Sequence, residues 1–344
     1  MIHTLERPDV AEAAPPATTC SMVEAIHDAL HTEMEADPSV IVIGEDVGVR
    51  GGVFRVTAGL LDTFGEERVI DSPLAESEIV GAAIGMAING LRPVVEIQFM
   101  DFVHSAMDQI MNEAARLRYR SNNDFGCPLV IRMPYGGGVH GALYHSQSLE
   151  ALFVHTPGLK VVAPSTPADA AGLLRTAIRD DDPVLFLEHK KMYRSVKGEV
   201  PTGDHVVPLG SARIVEEGSD VTVIAYGMMV PESLAAIAQI HEETGASIEL
   251  IDLRSLKPLD TETVLASVRK TGKALVVSEA NGLCSVASEV AAMIGEQAFA
   301  WLDGPVTRVT APDVPAMPFS PPLEHAFMVD SEKIGFALRD LVRF

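Results

Sequence analysis

Strand-like and helix-like apolar patterns alternate along this chain, and this alternation constrains the fold more than any other feature. Short runs of apolar residues occur at 40–44 (VIVIG) and 183–189 (PVLFLEH). Longer segments with helical spacing lie between such runs and predict helices, as at 22–34, 105–119, 166–180 and 261–270. Strands that are connected by helices form mostly parallel sheets with helices on both faces. The sequence therefore predicts an α/β fold.

The length and one interruption of the pattern predict two domains. The chain has 344 residues, which exceeds an average single domain. The alternation stops after His189, where the sequence becomes charged and contains proline and glycine, and it resumes near Asp220. The tail 312–325 is proline-rich and predicts an extended arm that packs on a neighbouring chain. We therefore predict a flexible leader, a first α/β domain, a linker and a second, smaller α/β domain, over 1–20, 21–190, 191–215 and 216–344.

Charge and cysteine content exclude several classes of function. The formal net charge of -22 argues against binding to nucleic acid or to an anionic membrane, because both require a basic surface. The three cysteines have no C-x-x-C spacing, so neither a disulfide framework nor a zinc site is indicated. The apolar run 79–91 is too short to span a bilayer, and the N-terminus lacks the apolar core of a signal peptide. These features predict a cytoplasmic protein.

A glycine-rich loop with two histidines follows the predicted strand 127–133. Its sequence, PYGGGVHGALYHSQS (134–148), contains G-x-G-x-x-G, the dinucleotide-binding pattern. A dinucleotide site also requires an acidic residue about 20 positions further on, which is missing here. The remaining interpretations are a solvated surface loop and a loop whose backbone approaches a ligand. Under the second interpretation, His145 is a candidate catalytic residue.

Glu76 and a group of residues after another strand are further candidates. Glu76 follows Ser72 and Pro73, a typical helix start, so its carboxylate either compensates the helix dipole or transfers a proton. An amide side chain and aromatic rings occur at the end of the predicted strand 93–99. In open α/β sheets ligands bind beyond the carboxyl ends of strands. These residues therefore either pack in the core or bind a flat heteroaromatic ligand; they are Gln98, Phe99 and Phe102.

Three consecutive acids, residues 180–182, stand where a predicted helix ends. Acids at this end oppose the helix dipole, so a positive partner is expected. Arg179 is one candidate partner. A monovalent cation bound to carboxylate and orphan carbonyl oxygens is the other.

Several long motifs in order resemble one known family, the beta subunits of the thiamine-diphosphate-dependent 2-oxoacid dehydrogenases in the transketolase-like superfamily. The matching segments extend from about Ser21 to the C-terminus. They include GEDVGVRGGVFRVTAGL (44–60), DSPLAESEIVGAAIG (71–85), GLRPVVEIQFMDF (90–102), YHSQSLEALFVHTPGLKVVAPSTPADAAGLL (144–174) and DPVLFLEHKKMYR (182–194). The resemblance implies a transketolase-like pyrimidine-binding domain followed by a transketolase C-terminal domain.

The resemblance also implies roles for individual residues. Glu76 corresponds to the glutamate that bonds the aminopyrimidine ring of thiamine diphosphate, with Leu74, Gln98 and Phe102 around that ring. His145 corresponds to the histidine that assists acyl transfer to lipoamide. The family places a structural potassium ion at five positions, which are Leu129, Ala177, Ile178, Asp180 and Asp182 in this chain.

Some positions depart from the family pattern. Asp182 stands where the family often has asparagine, and Phe102 where branched-chain enzymes often have tyrosine. His104, Ser105 and Met107 replace an aromatic residue, a proline and another aromatic residue. The entry to the following helix is therefore expected to differ beside the cofactor.

One motif of thiamine enzymes is missing from the sequence. These enzymes hold the diphosphate through magnesium on a G-D-G motif, and this chain contains no G-D-G. The resemblance therefore implies that a separate alpha subunit holds magnesium and the diphosphate, in an alpha2beta2 heterotetramer. It also implies a dihydrolipoyl acyltransferase core as a partner, through its subunit-binding and lipoyl domains.

The implied reaction is thiamine-dependent oxidative decarboxylation of a 2-oxoacid with reductive acylation of lipoamide. Pyruvate, a branched-chain oxoacid and acetoin remain open as substrates. Alternative functions are a non-catalytic scaffold subunit, a self-sufficient thiamine enzyme and a nucleotide-binding regulator. The missing G-D-G argues against the self-sufficient enzyme, and the presence of Glu76 and His145 argues against the scaffold.

Overall fold

The computed structural model describes residues 16–344, in which strands and helices alternate as predicted. The strands are β1 (Ala17–Ser21), β2 (Val40–Gly44), β3 (Val69–Asp71), β4 (Arg92–Glu96), β5 (Val130–Tyr135), β6 (Lys160–Val162), β7 (Val184–His189), β8 (Lys197–Pro201), β9 (Arg213–Glu216), β10 (Val221–Ala225), β11 (Ile248–Asp252), β12 (Ser255–Lys257), β13 (Ala274–Asn281) and β14 (Val306–Ala311). The α-helices are α1 (Met22–Ala36), α2 (Leu60–Phe64), α3 (Glu76–Ile88), α4 (Leu117–Arg120), α5 (Glu150–Val154), α6 (Pro167–Arg179), α7 (Met192–Ser195), α8 (Met229–Thr244), α9 (Thr261–Thr271), α10 (Val286–Gln297), α11 (Pro321–Phe327) and α12 (Ser331–Arg343).

The first sheet has seven strands in the order β12-β6-β7-β5-β4-β2-β3. All neighbouring pairs are parallel except β12 with β6, which is antiparallel. Strands β2, β5 and β7 are buried along their whole length, as expected for a sheet covered on both faces. Because β12 comes from the second half of the chain, the two halves share this sheet.

The second sheet has the order β14-β13-β10-β11-β9. Its pairs are parallel except at the edge, where β9 runs antiparallel to β11. The prediction of two mostly parallel sheets flanked by helices is therefore confirmed.

Strands β1 and β8 form a small antiparallel pair outside both sheets. This pair changes two expectations, because residues 17–20 of the predicted leader and residues 197–201 of the predicted linker are strand. The leader residues 1–15 lie outside the described part of the chain. Backbone pairing between distant segments gives these polar stretches regular structure that their local sequence does not predict. The domain boundaries themselves stay a prediction.

Local sequence signals set the starts of the two helices that cover one face of the first sheet. The Ser21 side chain accepts from the Glu24 backbone N–H, and the Glu24 side chain accepts from the Ser21 N–H, so α1 begins with a capping box. Thr166 caps α6, and Pro167 occupies its first turn. Among residues 16–344, no helix combines the length and apolar character needed to cross a bilayer.

Residues 105–119 do not form the regular amphipathic helix that their sequence predicts. This segment contains 3-10 turns at Met100–Ala106 and Ala114–Arg116, a π turn at Gln109–Glu113, and only then α4. The Ala115 carbonyl approaches the Gly158 backbone so closely that a Cβ at position 158 would collide with it. Helical spacing of apolar residues does not encode such a tertiary contact, so the irregular winding could not be predicted from that spacing.

The proline-rich tail packs on its own chain. Met317 and Glu324 are 5% and 3% exposed, and residues 321–327 form α11. The Glu324 carboxylate bonds the backbone N–H and the ring Nδ1 of His140, at 3.2 and 2.5 Å. The expectation of a wholly extended arm is therefore wrong, because buried side chains anchor this segment to the glycine-rich loop.

Candidate active site

The candidate residues from three separate sequence motifs lie at the carboxyl edge of the first sheet. Gln98 follows β4, and its side-chain amide donates to the Glu45 carbonyl after β2, at 3.3 Å. His145 lies in the loop after β5, and its ring centroid is 4.5 Å from that of Phe99. Glu76 begins α3, the helix that follows β3. Parallel strands bring their carboxyl ends to one edge, so residues far apart in sequence meet there.

Glu76 is half-buried and is held on one side. The Ser105 hydroxyl donates to Glu76 Oε2 at 3.0 Å. Its position in the first turn of α3 places the carboxylate at the positive end of the helix dipole. The negative charge of Glu76 also acts on Glu45. Burial, and then repulsion from Asp46 and Glu76, raises the pKa of the Glu45 carboxyl above its usual value.

An aromatic cluster lies beside these carboxylates. The Phe99 ring is in edge-to-face contact with Phe102 at 5.6 Å and with His145 at 4.5 Å, and Phe102 also contacts His145 at 5.4 Å. On another side, Phe99 contacts Phe54 at 5.5 Å. The three rings of Phe99, Phe102 and His145 are each only partly buried. This arrangement presents apolar ring surface next to the Glu76 carboxylate.

The glycine-rich loop carries His145 and is held from both halves of the chain. Gly136 has φ +83°, and a Cβ there would collide with the ring of His189. The Gly137 N–H donates to Glu279 Oε1 at 2.5 Å, from the second half of the chain. Asp101 Oδ1 accepts the backbone N–H groups of the two residues that follow His145, both at 3.2 Å. The glycines are therefore needed for close packing of the loop backbone.

These residues fit the aminopyrimidine ring of thiamine diphosphate. Leu74 is 71% exposed although it is large and apolar, and it stands two residues before Glu76. Among the described residues, none donates a hydrogen bond to Glu76 Oε1. A flat, weakly basic ring requires both an apolar surface and a carboxylate oxygen that is free to share a proton. Gln98 lies just beyond the end of the strand β4 and Phe102 in the turn that follows it, and contact of Leu74, Gln98 and Phe102 with the pyrimidine ring stays a prediction.

The acids at the end of α6 already have positive partners in the protein. Lys160 Nζ contacts both carboxylate oxygens of Asp180, at 2.7 and 2.6 Å. Arg92 contacts the Asp181 carboxylate at 2.7 Å, and Arg118 pairs with Asp182. The charge of these acids is therefore balanced by side chains from other segments, and a bound cation stays a prediction.

Arg179 does not serve these acids, because it pairs with Glu33 and Asp204 instead. A potassium ion would have to bind backbone carbonyls at this position. Those of Ile178 and Asp180 accept from Arg92, that of Ala177 from the Asp180 N–H, and that of Leu129 from the Val184 N–H. Each carbonyl oxygen has a second lone pair. Potassium here stays a prediction from the resemblance.

Several residues at this edge were missed by sequence reasoning. Glu45 directly follows the predicted strand 40–44, so the rule for strand ends could have found it. Asp101 and Lys190 also follow strand ends, but each is surrounded by other charged or apolar residues in sequence. Their burial, at 7% and 4% exposure, results from tertiary packing.

Comparison with known proteins agrees with this geometry. The profile "Transketolase, pyrimidine binding domain" matches residues 18–196, and "Transketolase, C-terminal domain" matches residues 210–334. A solved structure, "Split gene transketolase, inactive beta4 tetramer", superposes with a TM-score of 0.76 at 24% identity, covering 94% of this chain and 98% of that one. At this identity the superposition shows the fold alone.

Curated relatives are more similar in sequence. The 2-oxoisovalerate dehydrogenase subunit beta of Bacillus subtilis is 54% identical over 94% of this chain and 99% of that protein. The pyruvate dehydrogenase E1 component subunit beta of the same organism is 53% identical over 87% and 92%. Its counterpart from Staphylococcus aureus is 50% identical over 85% and 90%. The chain therefore belongs to the transketolase-like family of beta subunits of thiamine-diphosphate-dependent 2-oxoacid dehydrogenases.

Proposed function

We propose that this chain is the catalytic beta subunit of a 2-oxoacid dehydrogenase and holds the pyrimidine half of a shared thiamine diphosphate site. The observation that carries the proposal is the meeting of Glu76, the Phe99 and Phe102 rings, and His145 at one sheet edge. A scaffold subunit would have no need for a carboxylate with a free oxygen beside open aromatic surface.

Glu76 is assigned the first proton transfer. When bound, thiamine diphosphate supplies the carbanion that attacks the oxoacid carbonyl and stabilises the negative charge left by decarboxylation. Glu76 would hold a proton at a ring nitrogen of the pyrimidine, through the oxygen that Ser105 does not bond. Phe102, Leu74 and Gln98 would orient the ring and exclude water from its faces.

His145 is assigned the later step, transfer of the acyl group to lipoamide. Its ring is fixed by edge contacts with Phe99 and Phe102, and its loop is fixed by Asp101 and Glu279. A positioned imidazole can donate and accept protons near neutral pH. It would protonate the lipoyl sulfur as the dithiolane ring opens, while Glu76 would share its proton with the pyrimidine ring.

Partners complete the site. Because the sequence has no G-D-G motif, an alpha subunit would hold magnesium and the diphosphate, in an alpha2beta2 heterotetramer. A dihydrolipoyl acyltransferase core would supply the lipoyl group, and the net charge of -22 would attract a basic subunit-binding domain. Three free thiols, Cys20, Cys127 and Cys284, support a cytoplasmic location.

Reconstitution of the chain with its alpha subunit tests the proposed function and identifies the substrate. The identities of 54% and 53% to a 2-oxoisovalerate and a pyruvate enzyme are too close to choose between these oxoacids. The chain should be co-expressed with the alpha subunit of the same organism and assayed with pyruvate, 2-oxoisovalerate and acetoin. Turnover of a 2-oxoacid that needs both chains supports the proposal. Turnover of acetoin alone indicates an acetoin-cleaving enzyme, and no turnover by a folded, cofactor-loaded complex indicates a scaffold.

A further inference from the structure

Two buried ionisable side chains contact the surroundings of His145, and neither transfers a proton in the proposed reaction: Asp101 bonds the loop backbone after His145, and Lys190 contacts the Phe99 ring. Asp101 is 7% exposed and Lys190 is 4% exposed. Asp101 Oδ2 and Lys190 Nζ have no hydrogen-bond partner within residues 16–344. Buried charges are costly unless they are paired or serve another purpose, so both groups require an explanation.

Asp101 fixes the backbone that follows His145. Its Oδ1 accepts the N–H groups of Ser146 and Gln147, both at 3.2 Å. Asp101 itself lies in the 3-10 turn after β4, one residue before Phe102. The same short segment thus carries both the ring that contacts His145 and the carboxylate that fixes its loop.

Lys190 contacts the same aromatic cluster through Phe99. It follows β7, and its Nζ lies 5.8 Å from the Phe99 ring centroid, within range of a cation–π interaction. The other neighbours of Phe99 include His145, at 4.5 Å. Burial lowers the pKa of Lys190 to about 8, and the charges of Asp101 and Glu279 act in the opposite direction. Lys190 therefore brings a buried positive charge to this cluster, and the carboxylates whose charges act on it are those of Asp101 and Glu279.

We infer that Asp101 and Lys190 form a positioning pair that sets the orientation of His145. Asp101 fixes the loop backbone, while Lys190 contacts the Phe99 ring and carries the charge opposite to that of Asp101. Removing one member leaves the other as a buried charge with less compensation, whereas removing both leaves a neutral pair of similar volume. The expected effect on catalysis rests on the proposed function, whereas the expected effect on the orientation of His145 does not.

The first measurement needs no cofactor. The rate at which diethyl pyrocarbonate modifies His145 is followed by peptide mass spectrometry in the isolated chain, for Asp101→Asn, Lys190→Met and the double variant. Lys197→Met and Asp108→Asn are matched controls, because both residues are exposed and lie away from the cluster. Each single variant should change the His145 rate by about threefold or more, as a contact-range coupling predicts. The controls should match the wild type.

The second measurement uses the complex with the alpha subunit. In the single variants, kcat for transfer to a lipoyl domain should fall by about 10- to 100-fold, the range for a misplaced catalytic group. KM for the lipoyl domain should stay unchanged, and decarboxylation with an artificial electron acceptor should stay within about twofold. The double variant should lose less than the product of the two single losses, because the two residues are coupled.

Three results would overturn the inference. These are an unchanged His145 modification rate in folded single variants, equal losses in both half-reactions, and losses that multiply in the double variant. If Lys190→Met does not fold, Asp101→Asn and the double variant still test the inference. Neither of these variants contains the buried Asp101 carboxylate without its positive neighbour. If the wild-type complex does not decarboxylate any oxoacid, the proposed function fails, and the modification rates still test the pair.

Discussion

The Ser105 hydroxyl donates a 3.0 Å hydrogen bond to Glu76 Oε2 and joins the turn after β4 to the start of α3. Ser105 thereby fixes one carboxylate oxygen. Among the described residues, none donates to the other oxygen, Oε1. Glu76 can share a proton through Oε1 while Oε2 stays held, which is the arrangement that a ring nitrogen of a bound pyrimidine requires.

Glu76→Gln is expected to keep the fold and lose most of the decarboxylation rate. The amide is nearly isosteric and can still accept from Ser105, but it cannot share a proton with the pyrimidine. The rate should fall by about 10²- to 10⁴-fold, the usual range for a positioned acid or base. Glu78→Gln, two residues along the same helix and exposed, is the control. Wild-type turnover in the assembled Glu76 variant would disprove the assignment.

His145→Ala is expected to reduce transfer to the lipoyl domain more than decarboxylation. Under the proposed function the imidazole acts in the later step, so transfer should fall by about 10²-fold or more while decarboxylation changes little. One preparation is assayed twice, with an artificial electron acceptor and with a lipoyl domain. His155→Ala removes an exposed histidine from the segment after α5 and should leave both rates unchanged. Equal losses in the two assays would show that His145 is not specific to acyl transfer.

Potassium is expected to stabilise the end of α6 through backbone carbonyls, because Lys160 already neutralises the Asp180 carboxylate. The melting temperature should be about 2 to 4 °C higher in potassium chloride than in tetramethylammonium chloride at equal ionic strength. Asp180→Asn should keep this difference, since it retains the backbone carbonyl. Coincident melting temperatures in the two salts would contradict a potassium site.

Lys190 is expected to make the free energy of unfolding depend on pH above 8. Its pKa is about 8 in the folded chain against 10.5 in the unfolded chain, so the unfolded chain binds more protons between these values. The wild type should therefore become more stable relative to Lys190→Met as pH rises from 8 to 10.5. The expected change is on the order of 1 to 3 kcal/mol, measured by denaturant unfolding at each pH. Lys197→Met should follow the wild type, and parallel curves for Lys190→Met would contradict the assignment.

The fold could be predicted from sequence because its signals are local. The apolar strand at 40–44 and the helix from Thr261 match the structure within a residue or two. Glu76 and His145 could be proposed as site residues because their motifs are specific, and the structure brings both to one sheet edge. Asp101 and Lys190 could not, since their importance depends on burial against Phe99 and the loop. The partners of the acid run also lie far away in sequence, as Arg92 and Lys160 illustrate.

Titration calorimetry of thiamine diphosphate with magnesium tests the central claim, that this chain holds only the pyrimidine half of a shared site. Three samples are compared, which are the isolated chain, the complex with the alpha subunit, and that complex with Glu76→Gln. The isolated chain should bind weakly, because the diphosphate would have no metal anchor. The complex should bind stoichiometrically, and Glu76→Gln should weaken that binding. Micromolar, stoichiometric binding by the isolated chain would contradict the account.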